Sequence, residues 1–411
     1  TAAFALGLLQ KLDVKRFRIQ SLVLCPTREL ADQVAGEIRR LGRTLHNIKV
    51  LTLCGGVPLG PQIGSLEHGA HIIVGTPGRI VDHLGKGTLK LEHVTTLVLD
   101  EADRMLEMGF QEALETIVDE LPAQRQTLLF SATFPDRIQA IAKHIMQDPV
   151  RTQVKEAHSP QSIEQHFYRV RDEKDKMIAL RLLLQHFRPE SAIVFCSTKR
   201  DVDDVTRQLR ENNFSALPLH GDMEQKDRDQ TLVRFTNNSA SILVATDVAA
   251  RGLDIDALDI VINYHLARDA ETHLHRIGRT GRAGSSGIAC SLFDERESYR
   301  LARLSETGGT FGADPVANAS ALPPTSLLDN KPPYPAMVTL QLDAGKKQKI
   351  RAGDIVGALT GADGIAGDQI GKIQVADNWA FVAVTHAALK AAVRKLSEDK
   401  LKGRAVRVRK L

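Results

Sequence analysis

The sequence predicts an α/β protein in three parts: two tandem parallel-sheet domains followed by a smaller α+β domain. Three observations carry this. Short runs rich in Val, Ile and Leu recur, each followed by a polar turn and then a helical pattern, and runs too apolar to have a wet face belong to strands covered by helices on both sides. The alternation ends near residue 153 and begins again at about residue 157. A stretch over 305–335, dense in Gly, Pro, Ala and Ser, separates both repeats from a tail of different rhythm, and such composition reads as a linker. At 411 residues the chain exceeds what one hydrophobic core supports.

Taken in order, the chain opens on "TAAFALGLLQKLD", where Phe4, Leu8 and Leu12 fall along one helical face. That helix is already under way at Thr1, which is not a methionine, so residues are expected to have been lost upstream. The first domain, 1–153, holds the runs "QSLVLCPTREL", "IKVLTLCGG", "HIIVGTPGRI", "TTLVLDEAD" and "QTLLFSATF". The second, 157–304, holds "EQHFYRV", "SAIVFCSTKR", "SALPLHGD", "SILVATDVAARG", "LDIVINYHLA" and "GIACSLFDE". Beyond the linker, over 336–411, "MVTLQLD", "GDIVGALTG", "IGKIQV", "WAFVAV", "HAALKAAVRKL" and "RAVRVRK" read as strand, helix, strand, strand, helix, strand. That order fits a domain of RRM type, a four-stranded antiparallel sheet backed by two helices.

Bulk properties narrow the partners. Cys25, Cys54, Cys196 and Cys290 lie far apart with no C-x-x-C spacing, which argues against a zinc site or a disulfide framework and for a reducing, cytoplasmic setting. No apolar run approaches the roughly 20 residues that cross a bilayer, so no membrane association is expected, and the chain is expected to act as a monomer. The net charge of +4 is uneven: 336–411 carries 14 Lys and Arg against 7 Asp and Glu, or +7, which leaves −3 for everything before it. A basic module on a near-neutral body suits a tethered polyanion binder.

In an open parallel sheet, ligands bind at the carboxyl ends of the strands, and the polar words of this chain fall there. Asp100 closes the strand "TLVL", the place where phosphoryl-transfer enzymes put the carboxylate that holds Mg²⁺, and Glu101 is set to orient or deprotonate an attacking water. Asp103 is placed to tie this strand to its neighbour, where "SAT" offers the hydroxyls of Ser131 and Thr133. In the second repeat, "HRIGRTGRAG" spaces three arginines by three among glycines, a pattern suited to phosphoryl oxygens.

Together these words resemble the DEAD-box RNA helicases. The match runs in family order through "PTREL", "GG", "TPGR", "DEAD", "SAT", "VFCST", "HGD", "QKDR", "TDVAARGLD" and "HRIGRTGR". The resemblance implies two RecA-like domains that close over ATP and RNA. Asp100, through water, and Glu101 would serve Mg²⁺ and the attacking water. Asp103, Ser131 and Thr133 would couple hydrolysis to strand opening, and His275, Arg279 and Arg282 would act on the nucleotide, the two arginines as fingers. Thr1, Gly252 and Asp254 would touch the nucleotide; Arg28, Gly56, Thr76, Arg79, Gly221, Arg228 and Thr246 would line the RNA track. The phosphate loop G-x-x-x-x-G-K-[ST] and the adenine-reading segment before it are absent, and Thr1 reads as the last letter of that loop. The chain as written is expected to bind ATP poorly, as a truncated copy of an active enzyme; the alternative is a non-catalytic RNA-binding fragment.

The tail resembles the appended domain of the bacterial branch of this family devoted to ribosomal RNA. By that resemblance the partner is 23S rRNA in large-subunit precursors, in the region of hairpin 92, and the role is ribosome assembly. Trp379 and Phe381 lie two apart on the strand where an RRM carries its aromatics, but Asp377 stands where a basic residue is usual and "VTLQL" has no aromatic. The pair reads as core, and the RNA contacts are expected instead from Lys346, Lys347, Lys349, Arg351, Lys402, Arg404 and Arg407.

Overall fold

The computed structural model describes residues 1–134, 136–153, 163–250, 255, 257–281, 287–306, 315–398 and 401–411, the side chains of 305 and 306 apart. It divides into two compact units near residue 155.

The first unit is built on a parallel sheet of β1 (Ser21–Leu24), β2 (Val50–Leu53), β3 (Ile72–Gly75), β4 (Thr96–Leu99) and β5 (Gln126–Leu129), in the order β2-β3-β1-β4-β5. Side chains of a strand alternate between faces, and here both faces are apolar. Leu22, Leu24, Leu97 and Leu99 pack with Ile80, Met105 and Ile117, whereas Val23, Val74 and Val98 pack on the other side with Phe4, Leu8, Val34 and Ile38. That is why the strands read as unbroken apolar runs. Truncating any of these leucines to alanine would cost about 2–5 kcal/mol.

The second unit carries a parallel sheet of β6 (Ile163–Arg169), β7 (Ala192–Cys196), β8 (Ala216–Leu219), β9 (Ile242–Thr246), β10 (Ile260–Asn263) and β11 (Gly287–Phe293), in the order β6-β11-β10-β7-β9-β8. Pro218 lies within β8, at the sheet's edge, where a residue lacking an N–H is tolerated.

The same unit includes the tail. Its strands β12 (Met337–Leu342), β13 (Ile370–Val375), β14 (Ala380–Thr385) and β15 (Val408–Lys410) form an antiparallel sheet in the order β13-β14-β12-β15. Leu340, Leu342, Val382 and Val384 share a core with Ile355 and Leu359 of helix Ala352–Thr360 and with Ala392 and Leu396 of helix Leu389–Glu398. On the opposite face, Thr339, Gln341, Phe381 and Ala383 are also buried. The helix Gln225–Thr236 and the turn after it account for the polar pair: Gln230 Nε2 donates to Gln341 Oε1 at 3.2 Å, Asn237 Nδ2 donates to Thr339 Oγ1 at 3.3 Å, and the Ser239 hydroxyl meets that of Thr339 at 2.6 Å. The Met337 N–H donates to Asn238 O at 3.1 Å.

The described part of the 305–335 segment, read from its composition as a linker, is packed on the second domain. Val316 and Ala319 pack against Phe167, Leu266, Phe293 and Leu301, and Leu322 packs against the main core of the second domain. Ser320 N–H donates to Phe167 O at 2.7 Å, and Gln185 Nε2 donates to Asn330 O at 2.7 Å. A few apolar side chains suffice to lay it down; the surrounding Gly and Pro mask them in the sequence. Among the described residues no helix is long and apolar enough to cross a membrane.

Candidate functional site

The acidic corner of the first unit follows from how β4 ends. Asp100 N–H continues the ladder to Leu24 O at 3.0 Å. At Glu101 the backbone turns into the left-handed region (φ 53°), opening the helix Ala102–Glu107. Such a conformation costs a non-glycine residue of order 1–2 kcal/mol and concentrates at functional sites. The turn is clamped onto the end of β5. Ala102 N–H donates to Phe130 O at 3.0 Å and Asp103 N–H to Ser131 Oγ at 3.3 Å, while Asp103 Oδ2 accepts both the N–H and the hydroxyl of Thr133, each at 3.0 Å. Asp103 therefore makes the tie its spacing predicts, and its engaged oxygens hold the shape of this corner.

Burial raises the pKa of Asp100, as does the nearby Asp103 carboxylate, while the Glu101 N–H pulls it back. Thr1 is the N-cap residue of the helix Ala2–Lys11 and does not use its side chain as a cap. A sunken carboxylate with a second carboxylate nearby is a hard-oxygen environment that a divalent cation relieves, and it suits Mg²⁺ arriving with phosphates.

Other predicted residues of this unit surround the ends of β2 and β3. Thr27 accepts the Leu30 N–H and caps the helix Arg28–Leu41, which sets Arg28 at its first turn, paired with Asp32 at 3.5 Å. Thr76 opens the helix Pro77–Gly85 and its N–H donates to Leu53 O at 3.1 Å. Gly56 has φ 75°, the conformation that favours glycine. Arg79 is turned inward: both Nη atoms donate to Val57 O at 3.1 Å, and Nη1 also reaches Gln62 Oε1 at 3.0 Å. It braces the loop that carries Gly55 and Gly56.

In the second unit, Arg228 Nη1 donates to His220 O at 3.2 Å, clasping the turn that presents Gly221. Thr246 closes β9 buried, its Oγ1 accepting the Ala249 N–H at 3.4 Å. His275 is half-buried on the helix Ala270–Ile277, and Arg279, also half-buried, follows that helix and accepts the Leu258 N–H on its carbonyl at 3.1 Å. The first arginine of the row, Arg276, is walled in. Its Nε and Nη2 bind Asp247 at 2.6 and 2.9 Å, Nη1 binds Asn263 Oδ1 and His265 O, and the guanidinium lies 5.0 Å over the Phe195 ring. Gly252, Asp254 and Arg282 lie outside the described residues.

In the tail, Lys346, Lys347, Lys349, Arg351, Lys402, Arg404 and Arg407 are all exposed. The two segments that carry them meet: Lys402 Nζ donates to Lys349 O at 2.7 Å and pairs with Asp354 at 3.0 Å, and Asp343 N–H donates to Arg407 O at 3.0 Å. Trp379 is half-buried and Phe381 buried.

Three family models match the chain: DEAD/DEAH box helicase over residues 1–141, helicase conserved C-terminal domain over 175–284, and DbpA RNA binding domain over 339–410. The ATP-dependent RNA helicase DbpA of Escherichia coli (strain K12) is 52% identical over all of this chain and 88% of its own length. The chain belongs to the DEAD-box ATP-dependent RNA helicases. The DEAD-box helicase CshA of Geobacillus kaustophilus (strain HTA426) is 47% identical over 75% of this chain and 66% of its own. Among solved structures, S. cerevisiae Dbp5 bound to RNA and ADP BeF3 superposes with a TM-score of 0.69 at 30% identity, covering 75% of this chain and 80% of that one.

The two RecA-like sheets and the DbpA-type tail of this helicase thus stand as the sequence predicts. Sequence reasoning missed the residues that hold the site's loops: Gln62, His83 and the Arg276–Asp247 pair. Arg276 shares the spacing of Arg279 and Arg282, and only the fold shows that Asp247 and Asn263 claim it. For His83, its place in register with the apolar face of helix Pro77–Gly85, beside Ile80, was the available signal.

Proposed function

We propose that this DEAD-box helicase opens short duplexes in 23S rRNA during large-subunit assembly in the cytoplasm, recruited by its tail to an rRNA hairpin in the region of hairpin 92. What carries this reading is the tail: it matches the DbpA RNA binding domain, and its basic residues gather on one exposed edge while part of its sheet face is occupied by the second helicase domain. Lysines and arginines on that edge supply phosphate contacts, and the hairpin's shape supplies selectivity. In the core, RNA is held by backbone and phosphate contacts at Arg28, Gly56, Thr76, Gly221, Arg228 and Thr246, so the core takes any short duplex within reach.

For the chemistry, Asp100 would hold Mg²⁺ through water; the ion would neutralise charge on the phosphates when bound. Glu101 orients the attacking water and accepts its proton. Arg279 and Arg282 stabilise the charge that develops on the transferred group. The Asp103–Thr133 tie keeps the Glu101 turn fixed to the segment that follows β5, so a change at the acidic corner reaches Ser131.

The test compares RNA-stimulated ATP hydrolysis by the full-length protein with a 23S rRNA fragment containing the hairpin and with random RNA of equal length. The rRNA fragment should stimulate at much lower concentration. The triple change K346E, K347E and K349E should erase that difference while leaving the response to random RNA in place. Equal stimulation by both RNAs in the unaltered protein would overturn the ribosomal assignment, and a preference that survives the triple change would remove this edge as the reader.

A further inference from the structure

The Gly55–Gly56 turn is flanked by two carbonyls, those of Cys54 and Val57, and one network holds both. Gln62, 8% exposed, donates its Nε2 to Cys54 O at 3.0 Å. Its Oε1 accepts from Arg79 Nη1 and from His83 Nε2, each at 3.0 Å. Arg79 reaches on to Val57 O with both terminal nitrogens at 3.1 Å. His83 is fully buried and its other ring nitrogen faces the Thr88 hydroxyl at 2.8 Å. Because Gln62 Oε1 can only accept, His83 carries its proton on Nε2, and burial together with the Arg79 charge keeps the ring neutral by lowering its pKa.

This has a geometric consequence. A trans peptide is planar with its C=O and N–H pointing oppositely, so anchoring the Cys54 carbonyl fixes the direction of the Gly55 N–H. Around Gly55 there is open space, and nothing would meet a side chain built on it. Gly56 follows at φ 75°, and backbone N–H groups in such turns form concavities that bind anions. The direction of the Gly55 N–H is thus set by a side chain seven residues away in sequence, together with a histidine on another helix.

We propose that Gln62 is a positioning residue for RNA: with His83 behind it, it orients the start of the Gly55–Gly56 turn so that the Gly55 N–H meets a phosphate of the bound strand. The proposal rests on the reading that RNA passes over Gly56, Thr76 and Arg28. Gln62 touches neither RNA nor nucleotide. Losing it lets the turn relax, which weakens the grip on RNA without changing the nucleotide corner at Asp100.

The experiment measures three quantities on the full-length protein: anisotropy of a fluorescein-labelled single-stranded RNA in the presence of ADP·BeF3, affinity for ADP·BeF3 without RNA, and melting temperature. The variants are Q62M, H83L, H83Q and, as a control on the track itself, R28A. Q62M and H83L should weaken RNA binding about tenfold, as expected for the loss of a buried hydrogen bond that holds a contact in place, and leave nucleotide affinity within about twofold. H83Q can present an amide nitrogen where Nε2 stands, so it should bind RNA close to the unaltered protein. RNA affinity unchanged in Q62M while R28A weakens it would overturn the proposal alone. Unchanged affinity in both would overturn the track reading and the proposal with it. Parallel losses of RNA affinity, nucleotide affinity and melting temperature would reduce Gln62 to a general core residue and overturn it too. Should Q62M not fold, the pair H83Q and H83L decides: equal RNA affinities for the two overturn the proposal.

Discussion

Asp103 and Thr133, 30 residues apart in sequence, are joined twice: one carboxylate oxygen accepts both the backbone N–H and the hydroxyl of the threonine. The acidic corner and the end of β5 therefore move as one piece.

Thr133→Val keeps the shape and the backbone bond and removes only the hydroxyl. Leaving a carboxylate oxygen short of one partner should lower the stability of the first domain by about 1–3 kcal/mol. Duplex opening per ATP hydrolysed should fall more than hydrolysis itself. Parallel unwinding and ATPase assays check this, and equal losses in the two would show that the tie does not couple them.

Glu101→Gln removes the proton acceptor at constant size. ATP turnover in the full-length protein should drop by two or more orders of magnitude, within the range for loss of a general base, while RNA binding with ADP·BeF3 stays near that of the unaltered protein. Stopped-flow phosphate release measures the first and anisotropy the second.

His273 offers a pH signature in the second domain. Burial, with the Arg276 charge adding to it, pushes its pKa down to about 4, and Nε2 is hydrogen-bonded to Gln165 at 2.9 Å. Unfolded, the ring takes up a proton below roughly 6.5; folded, it does so only near 4. The stability due to the neutral ring is complete above that unfolded value and is lost as pH falls from there through the folded one. Thermal melts between pH 7.5 and 4.5 should show a shallower decline for His273→Gln than for the unaltered protein.

Thr339→Lys places a charge on a fully buried position of the tail's sheet, opposite Ser239 and Asn237. An unpaired buried charge is costly, so the contact should open. Limited proteolysis should then cut within 315–335, a segment that is otherwise laid along the second domain, and the basic edge should still bind the rRNA hairpin with unchanged affinity. Resistance to cleavage equal to that of the unaltered protein would mean that the polar contact does not hold the two parts together.

The fold was legible because its strands are short, apolar and evenly spaced, and because each catalytic word falls directly after a strand such as β4 or β9. The contact of Asp103 with Ser131 and Thr133 could be anticipated because β4 and β5, which they follow, are neighbours in the parallel sheet. Arg79 shows where this stops. Its motif gives no sign that its terminal nitrogens bind Val57 O and Gln62; which partner a long side chain chooses depends on loops that carry no periodicity. The docked face of the tail was hidden for the same reason. Thr339 and Gln341 alternate with Val338, Leu340 and Leu342 as an ordinary wet face would, and only their near-total burial shows that another surface covers them.

The backbone at Glu101 bears on how this enzyme could be improved. A residue without a β-carbon would rest more comfortably at φ 53°, so a selection for heat resistance alone would tend to accept glycine there and discard the carboxylate with it. Thermal hardening of this protein should therefore leave position 101 untouched and look to the loops, where robustness and turnover do not compete.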